Sequence, residues 1–196
     1  MKARPGRPRD PDVETAILRA ALDLFVEVGV HGTSIEQVAK RAGVGKASVY
    51  RRWRSKEELL AQAIESTRQD IREPSPDELA AVPVAEVVER TIPSIAEAIV
   101  DPRFRVVVAH VIGSSTTYPA LMQAYWERFV EPRRASARLF LRHAQEEGRV
   151  APDADLDTLM DMLVGAVLVR LARPGQLDVA TMRAFLRSLY RQVGLL

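Results

Sequence analysis

The stretch that most limits what this chain can fold into runs from Thr33 to Leu60, TSIEQVAKRAGVGKASVYRRWRSKEELL. Thr33 followed by Glu36 has the spacing of a capping box, which predicts a helix starting near Ser34. Ile35, Val38, Ala39 and Ala42 recur at helical spacing and make one apolar face. Gly43 accepts the left-handed conformation that closes a helix, so Ala42-Gly43-Val44 reads as a tight turn with Val44 buried at its exit. A second short helix is expected from about Lys46 to Trp53, with Val49 and Trp53 inward and Lys46, Ala47, Ser48, Arg51 and Arg52 on its other sides. Ser55 and Glu58 repeat the capping spacing and open a longer helix carrying Leu59, Leu60, Ala63 and Ile64. Two short helices joined by a Gly turn, with a small and basic exposed face, form a helix-turn-helix. Such a face suits the DNA major groove, where short side chains allow close approach and Lys or Arg reach guanine or phosphate oxygens.

The same segment, preceded by a helix containing AALDLFVEVG and by Gly32-Thr33, resembles the DNA-binding domain of the TetR family of transcriptional regulators. The likeness rests jointly on the Ala-Gly-Val turn, Tyr50 in the recognition helix and the Lys56-Glu57-Glu58-Leu59 opening of the next helix. Two departures stand out. Gly45 replaces the usual Ser or other capping residue, and Trp53-Arg54 replaces a commoner Phe followed by a small residue or Pro. Gly is a tolerated N-cap, and Trp fills the same apolar position. The resemblance implies an all-α fold: an N-terminal three-helix helix-turn-helix DNA-binding domain plus a larger C-terminal helical ligand-binding and dimerisation domain.

Charge is distributed to match. The net charge of +2 hides an excess of twelve Lys or Arg over six Asp or Glu in residues 1 to 56, against sixteen over twenty in the remainder. A positive pole joined to a mildly acidic body suits a polyanion at one end and another partner at the other. With 196 residues, 47% of them hydrophobic, the chain has material for a real core. The absence of Cys removes disulfides, thiol nucleophiles and thiolate metal sites. No apolar run follows the basic start as a secretion signal requires, so a cytoplasmic location is expected. The longest apolar stretch, Met162 to Val169, is too short to span a bilayer, so no membrane partner is expected.

In chain order, residues 1–11 are expected to be a flexible basic arm whose Arg4, Arg7 and Arg9 meet DNA. Arg7 sits in a Gly-Arg-Pro core that either enters a minor groove or belongs to a tail attracted generally to phosphates. Asp10-Pro11 is a helix start, and Val13, Ile17, Ala20, Ala21, Leu24, Phe25 and Val28 form one buried stripe ending at Gly29. His31 reads as a loop residue, since no second ligand lies at metal spacing. Residues 12–70 make the DNA-binding domain with its connecting helix, 71–83 a linker rich in Pro and charge, and 84–196 the larger domain. That domain reads as five helices: Val84 to Val100 with a kink at Pro93, Arg103 to Gly113, Pro119 to Glu147 with a bend at Pro132, Leu156 to Ala172, and Val179 to Val193 capped by Asp178.

The helix from Leu156 to Ala172 is apolar almost all round and needs cover on two sides. A second subunit supplies that cover if Leu159, Leu163, Gly165, Ala166 and Val167, with Phe185 and Leu189 of the last helix, form a dimer interface; the other reading is an entirely intramolecular core. Position and resemblance together assign the DNA contacts. Lys46, Ala47 and Ser48 face base edges, Tyr50 meets a phosphate or a thymine methyl or else packs inside, and Ser34, Arg52 and Lys56 hold phosphates. Thr33 lies beside them, and Arg51 serves either role. In the larger domain the resemblance implies a small-molecule pocket, with His110, Tyr118, Met122, Tyr125, Trp126, Phe129, Phe140, His143 and Arg170 as candidate lining or ordinary core. Arg170 needs a partner such as Asp161, an acidic ligand or the other subunit, unless it reaches solvent. The run Gly113 to Pro119 is pocket lining or a loop.

These readings converge on a homodimeric regulator, a repressor that binds a palindromic operator and is released by a small-molecule effector. An activator indifferent to ligand and an architectural DNA-binding protein are the alternatives. An enzyme on the larger bundle has no triad, paired-carboxylate motif or phosphate-binding Gly loop behind it, and neither cofactor nor metal is called for.

Overall fold

The computed structural model describes residues 11–68 and 82–196, and every regular element among them is helical. The first helix, α1 (Pro11–Gly32), is interrupted at Gly29, whose backbone takes φ 67° and ψ −170°. That conformation is open to glycine and costly for a residue with a Cβ. Ile17, Ala20, Ala21, Leu24 and Phe25 are buried as their spacing predicts, but Val28 is 49% exposed. The stripe ends where the Gly29 break redirects the chain, and Val30 takes the inward place instead. Gly32 then passes so close to Val28 that a Cβ on it would lie 2.6 Å from the Val28 Cβ.

Helix α2 (Ile35–Arg41) starts one residue later than the Thr33 and Glu36 spacing suggests. Ser34 is the cap: its hydroxyl accepts from the Gln37 amide at 3.2 Å, and the Gln37 side chain accepts from the Ser34 amide at 2.9 Å. The Thr33 hydroxyl is buried and donates to the Gly29 carbonyl at 2.7 Å, which leaves the capping role to its neighbour. Gly43 at φ 68° closes α2, and the Val44 amide donates to the Ala39 carbonyl. Val44 itself is half-buried.

Helix α3 (Lys46–Tyr50) is shorter than expected, with Arg51 and Arg52 in the turn that follows and Trp53 beyond it. Gly45 gives it no side-chain cap. Helix α4 (Lys56–Glu65) opens on Ser55, whose hydroxyl accepts from the Glu58 amide at 3.1 Å. The Glu58 carboxylate accepts from the Arg54 amide and not from that of Ser55, so the second box is only half formed. The helix ends at Glu65 in a single 3-10 turn, Ser66–Arg68, short of the expected Asp70, which lies outside the described residues.

Three further helices, α5 (Val84–Val100), α6 (Pro102–Ser114) and α7 (Pro119–Tyr125), precede a π-helical turn, Trp126–Val130. The chain ends in α8 (Glu131–Glu146), α9 (Leu156–Ala172) and α10 (Val179–Gln192). α5 runs unbroken through Pro93, and the Thr91 and Ser94 hydroxyls donate to carbonyls three residues back. The bend expected at Pro132 takes the form of the π turn just before it. Pro132 cannot donate to the carbonyl four residues earlier, and the backbone widens there.

Packing divides the chain into two compact units. In the first, the described residues up to Ser66 pack with Ala109–Tyr125. Phe25, Ile17, Val38, Val49, Leu59, Leu60 and Leu121 are fully buried in it, each worth about 1.5–3 kcal/mol of burial. Trp53 closes this core at 2% exposure and donates its indole N–H to Gln62 Oε1 at 2.8 Å.

The second unit takes the described residues of Thr67–Val108 and Trp126–Leu196. Val88, Ile92, Ala96 and Ile99 of α5 meet Met182 and Leu186 of α10 and Leu141 and Ala144 of α8. Arg187 grips Glu89 at 2.9–3.2 Å, and Arg183 bonds Glu97 at 2.6 Å, tying α10 to α5. Arg134 bridges α8 to Asp157 and Asp161 of α9 at 2.9 and 2.6 Å. The last helix stops one residue before Val193, and Gly194 at φ 81° turns Leu195 into the core.

Candidate nucleic-acid interface

The recognition surface is built around a helix of five residues, too short to hold itself in water. Its neighbours hold it: it packs on α2, Val49 is fully buried, and Trp53 just beyond it is nearly so and bonded to Gln62 of α4. Lys46, Ala47, Tyr50 and Arg51 then face outward, Tyr50 at 51% exposure. The reading of Tyr50 as a packed core residue therefore fails. Its one ring contact of note is the Lys46 ammonium, 5.9 Å from the centroid.

Several of the expected cations are already engaged within the protein. Lys46 forms an ion pair with Glu36 in the first turn of α2. That hydrogen bond holds the Glu36 carboxyl below its ordinary pKa and raises that of Lys46. Arg52 donates to the Ser48 carbonyl at 3.1 Å and to the Ser48 hydroxyl at 3.0 Å. Lys56 donates to the Val30 carbonyl at 3.0 Å, anchoring α4 to the end of α1. The Arg51 guanidinium is exposed and makes no hydrogen bond or ion pair among the described residues, while its backbone amide donates to the Ala47 carbonyl at 3.1 Å. Ser34 spends its oxygen on the Gln37 amide, and its hydroxyl also bonds the Glu36 side chain, helping to hold that carboxyl low. Thr33 is withdrawn from the surface by burial and by its bond to Gly29. Arg4, Arg7 and Arg9 lie outside the described residues.

The supporting frame comes from residues the sequence reading did not single out. Arg41 and Glu27 join α2 to α1 through two 2.8 Å bonds, and Gln62 receives the Trp53 indole. Opposite charges fourteen residues apart across a turn carry no periodic signal, so neither was visible in the one-dimensional pattern.

The pocket candidates are divided between the two units. His110, Tyr118, Met122 and Tyr125 belong to the first, where the His110 ring meets Phe25 edge-on at 5.4 Å. Trp126, Phe129, Phe140, His143 and Arg170 belong to the second. There His143 lies between Glu146 and Glu147, and Phe140 packs against the core. Trp126 is 47% exposed beside the Arg134 guanidinium. Arg170 does not pair with Asp161; it is half-buried, and its guanidinium lies 5.2 Å from the Phe185 ring centre. A surface groove of about 450 Å³ runs along α9 and α10, lined by Gly165, Ala166, Val169, Arg170, Arg173 and Phe185.

Of the expected dimer residues, Leu159, Leu163, Val167 and Phe185 pack onto the core of their own unit and are only half-exposed. The bare apolar positions of α9 are Met162, Val164 and Val169, at 60%, 55% and 62% exposure. They went unnoticed because an all-apolar helix has no polar face to show which side is out. Among the described residues no helix is long and apolar enough to cross a membrane, and no cluster of potential metal ligands occurs.

Comparison with known proteins agrees with this geometry. Residues 17–63 match the family described as bacterial regulatory proteins of the tetR family, and residues 84–189 match the tetracyclin repressor-like C-terminal domain. The chain is 31% identical over 175 residues to YdeS, an HTH-type transcriptional regulator of Bacillus subtilis, covering 89% of this chain and 86% of that one. It is 33% identical over 177 residues to the HTH-type regulator Rv1556 of Mycobacterium tuberculosis, covering 87% and 83%. Among solved structures, the TetR family regulator SCO0332 superimposes with a TM-score of 0.58 at 28% identity, over 93% of this chain and 98% of that one. A helix-turn-helix with an outward basic recognition helix, followed by a matching helical C-terminal domain, makes this chain a member of the TetR family of transcriptional regulators.

Proposed function

We propose that the chain is a homodimeric repressor that reads a palindromic operator with two copies of α3 and is released when a small molecule binds its C-terminal helical domain. The observation that carries this reading is the outward face of α3. Lys46, Ala47, Tyr50 and Arg51 project from a helix whose other side is locked into the core by Val49 and Trp53. A rigid element with small and basic outward groups is what major-groove reading needs. Lys46, Ala47 and Ser48 meet base edges, while Tyr50, Arg51 and Ser34 meet the backbone or thymine methyls. The bare face of α9 supports dimerisation, since Met162 and Val169 lie two turns apart on the side of Gly165 and Ala166, small residues that would let a second helix come close. The likeness of the C-terminal domain to the tetracyclin repressor supports repression and release by ligand. Ligand would act by favouring a dimer geometry in which the two α3 helices no longer match successive major grooves.

Selection of bound sequences from a random duplex pool at fixed salt tests the reading. The expected result is a palindrome with half-sites about one helical turn, roughly 34 Å, apart. Lys46→Ala should relax it at the same position in both halves. Salt-sensitive binding without sequence preference would instead indicate an architectural role.

A further inference from the structure

Ser48 sits in the first turns of the recognition helix, where a serine hydroxyl has two ordinary fates. It can bond back to a backbone carbonyl of its own helix, or it can stand free and rotate. Neither occurs here. Among the described residues the Ser48 hydroxyl donates to no carbonyl, and its oxygen accepts from Arg52 Nη1 at 3.0 Å. The same nitrogen donates to the Ser48 carbonyl at 3.1 Å, so one guanidinium N–H group spans the helix end and the side chain together. Arg52 is half-buried, and its Nε is shielded from solvent without a hydrogen-bond partner. A guanidinium committed to a phosphate would present its fork outward. This one is turned in against α3.

We propose that Arg52 is a positioning residue that fixes Ser48 as a hydrogen-bond donor toward DNA, so that Ser48 selects a keto edge, guanine O6 or thymine O4, over an amino edge. An oxygen accepting from a cation on one side has its remaining proton pointed away from that cation, and the bond polarises the O–H toward stronger donation. Cytosine N4 and adenine N6 are donors and offer that proton nothing. The inference rests on α3 being the DNA-reading element, and it separates Arg52 from the phosphate contacts among which its charge alone would place it.

The test uses the full-length protein and a random duplex DNA pool, with wild type, Ser48→Ala, Arg52→Met and Arg52→Lys compared at two salt concentrations. The wild-type consensus should show guanine or thymine, and not adenine or cytosine, at one position of each half-site. Ser48→Ala should lower the preference there by roughly five-fold, the worth of one hydrogen bond. Arg52→Met, which keeps the stem, should relax that same position and no other. Arg52→Lys should stay relaxed, because an ammonium on a flexible chain does not span carbonyl and hydroxyl as the planar guanidinium does. Uniform loss of affinity in Arg52→Met with the salt slope reduced by about one, and recovery in Arg52→Lys, would make Arg52 a phosphate anchor and overturn the inference while leaving sequence reading intact. No consensus from wild type at all overturns the DNA-reading role of α3 and this assignment with it. Should Arg52→Met fail to show the wild-type thermal unfolding, Arg52→Lys alone decides, since retained position-specific preference in it excludes positioning by the guanidinium.

Discussion

Helices α3 and α9, the two surfaces proposed to meet a partner, are built in opposite ways. α3 has five residues and no side-chain cap, and it owes its place to Val49 and the Trp53 that follows. What it shows to solvent is charged or small. α9 has seventeen residues and a proper cap, the Asp155 carboxylate accepting from the Thr158 amide at 2.8 Å. Yet only Met160 and Leu171 in it are buried, and the rest of its apolar surface is partly or largely bare. The short helix is stabilised from within and is proposed to face a hydrated polyanion. The long helix stands on its own hydrogen bonds and presents surface that water covers at a cost. Rigidity is thus spent where side chains must meet fixed edges, and exposed apolar area is left where a second copy is proposed to cover it.

The comparison breaks most sharply at the anchor of α3. Trp53→Ala removes a side chain only 2% exposed together with its bond to Gln62, and should cost about 3–5 kcal/mol in urea unfolding of the first unit. DNA binding should be lost with the fold. If the variant unfolds as wild type does, α3 is not held by its inner side, and the account of its rigidity is wrong.

On α9 the expected effect is on association and leaves the fold intact. Met162→Glu combined with Val169→Glu places carboxylates on positions that are mostly exposed in the single chain, so helical content should not change. Sedimentation should show monomer, and affinity for a palindromic operator should fall about 100-fold as the two recognition helices cease to be linked. A dimer that survives both substitutions would move the interface away from this face.

The same contrast explains what the sequence disclosed. The helix-turn-helix was legible because its signals are local: a capping residue, a Gly turn and apolar positions three and four apart. Even there the cap fell one residue late, because the Gly29 break lets Thr33 bond backward, and no spacing rule contains that tertiary fact. The later helices were legible for the same local reason, and Asp178 caps the last as expected, but the one helix expected from Pro119 to Glu147 is two, α7 and α8, parted by the π turn. The sides they present were not legible. Val28, Met162 and Val169 are apolar and exposed, while Leu195 lies past the last helix and is buried. Burial at those positions depends on which neighbours arrive, as with Gly194, whose added Cβ would lie 2.2 Å from the Arg149 carbonyl oxygen. The engaged state of Lys46, Arg52 and Lys56 was equally hidden, since a run of basic residues looks free until its acceptors are placed.

The finest distinction between the two surfaces lies in how α2 restrains the charge of α3. Lys46 is paired with Glu36, so DNA must replace one anion with another before Lys46 contributes to binding. A phosphate in any sequence makes that exchange with little gain, whereas a guanine offers two acceptors at once. Glu36→Gln should therefore strengthen binding to random-sequence duplex by about three-fold at low salt, with the gain shrinking as salt screens the site. The preference for the operator over random DNA should fall correspondingly. The bond from Lys46 holds the Glu36 carboxyl below its ordinary pKa, so the pair stays charged through the neutral range and weakens only as pH falls below the usual carboxylate range, near 4. The ratio between variant and wild type should consequently be flat from pH 6 to 8. Equal binding of both proteins to random DNA at low salt would mean that Glu36 does not restrain Lys46, leaving discrimination to the base contacts of α3 alone.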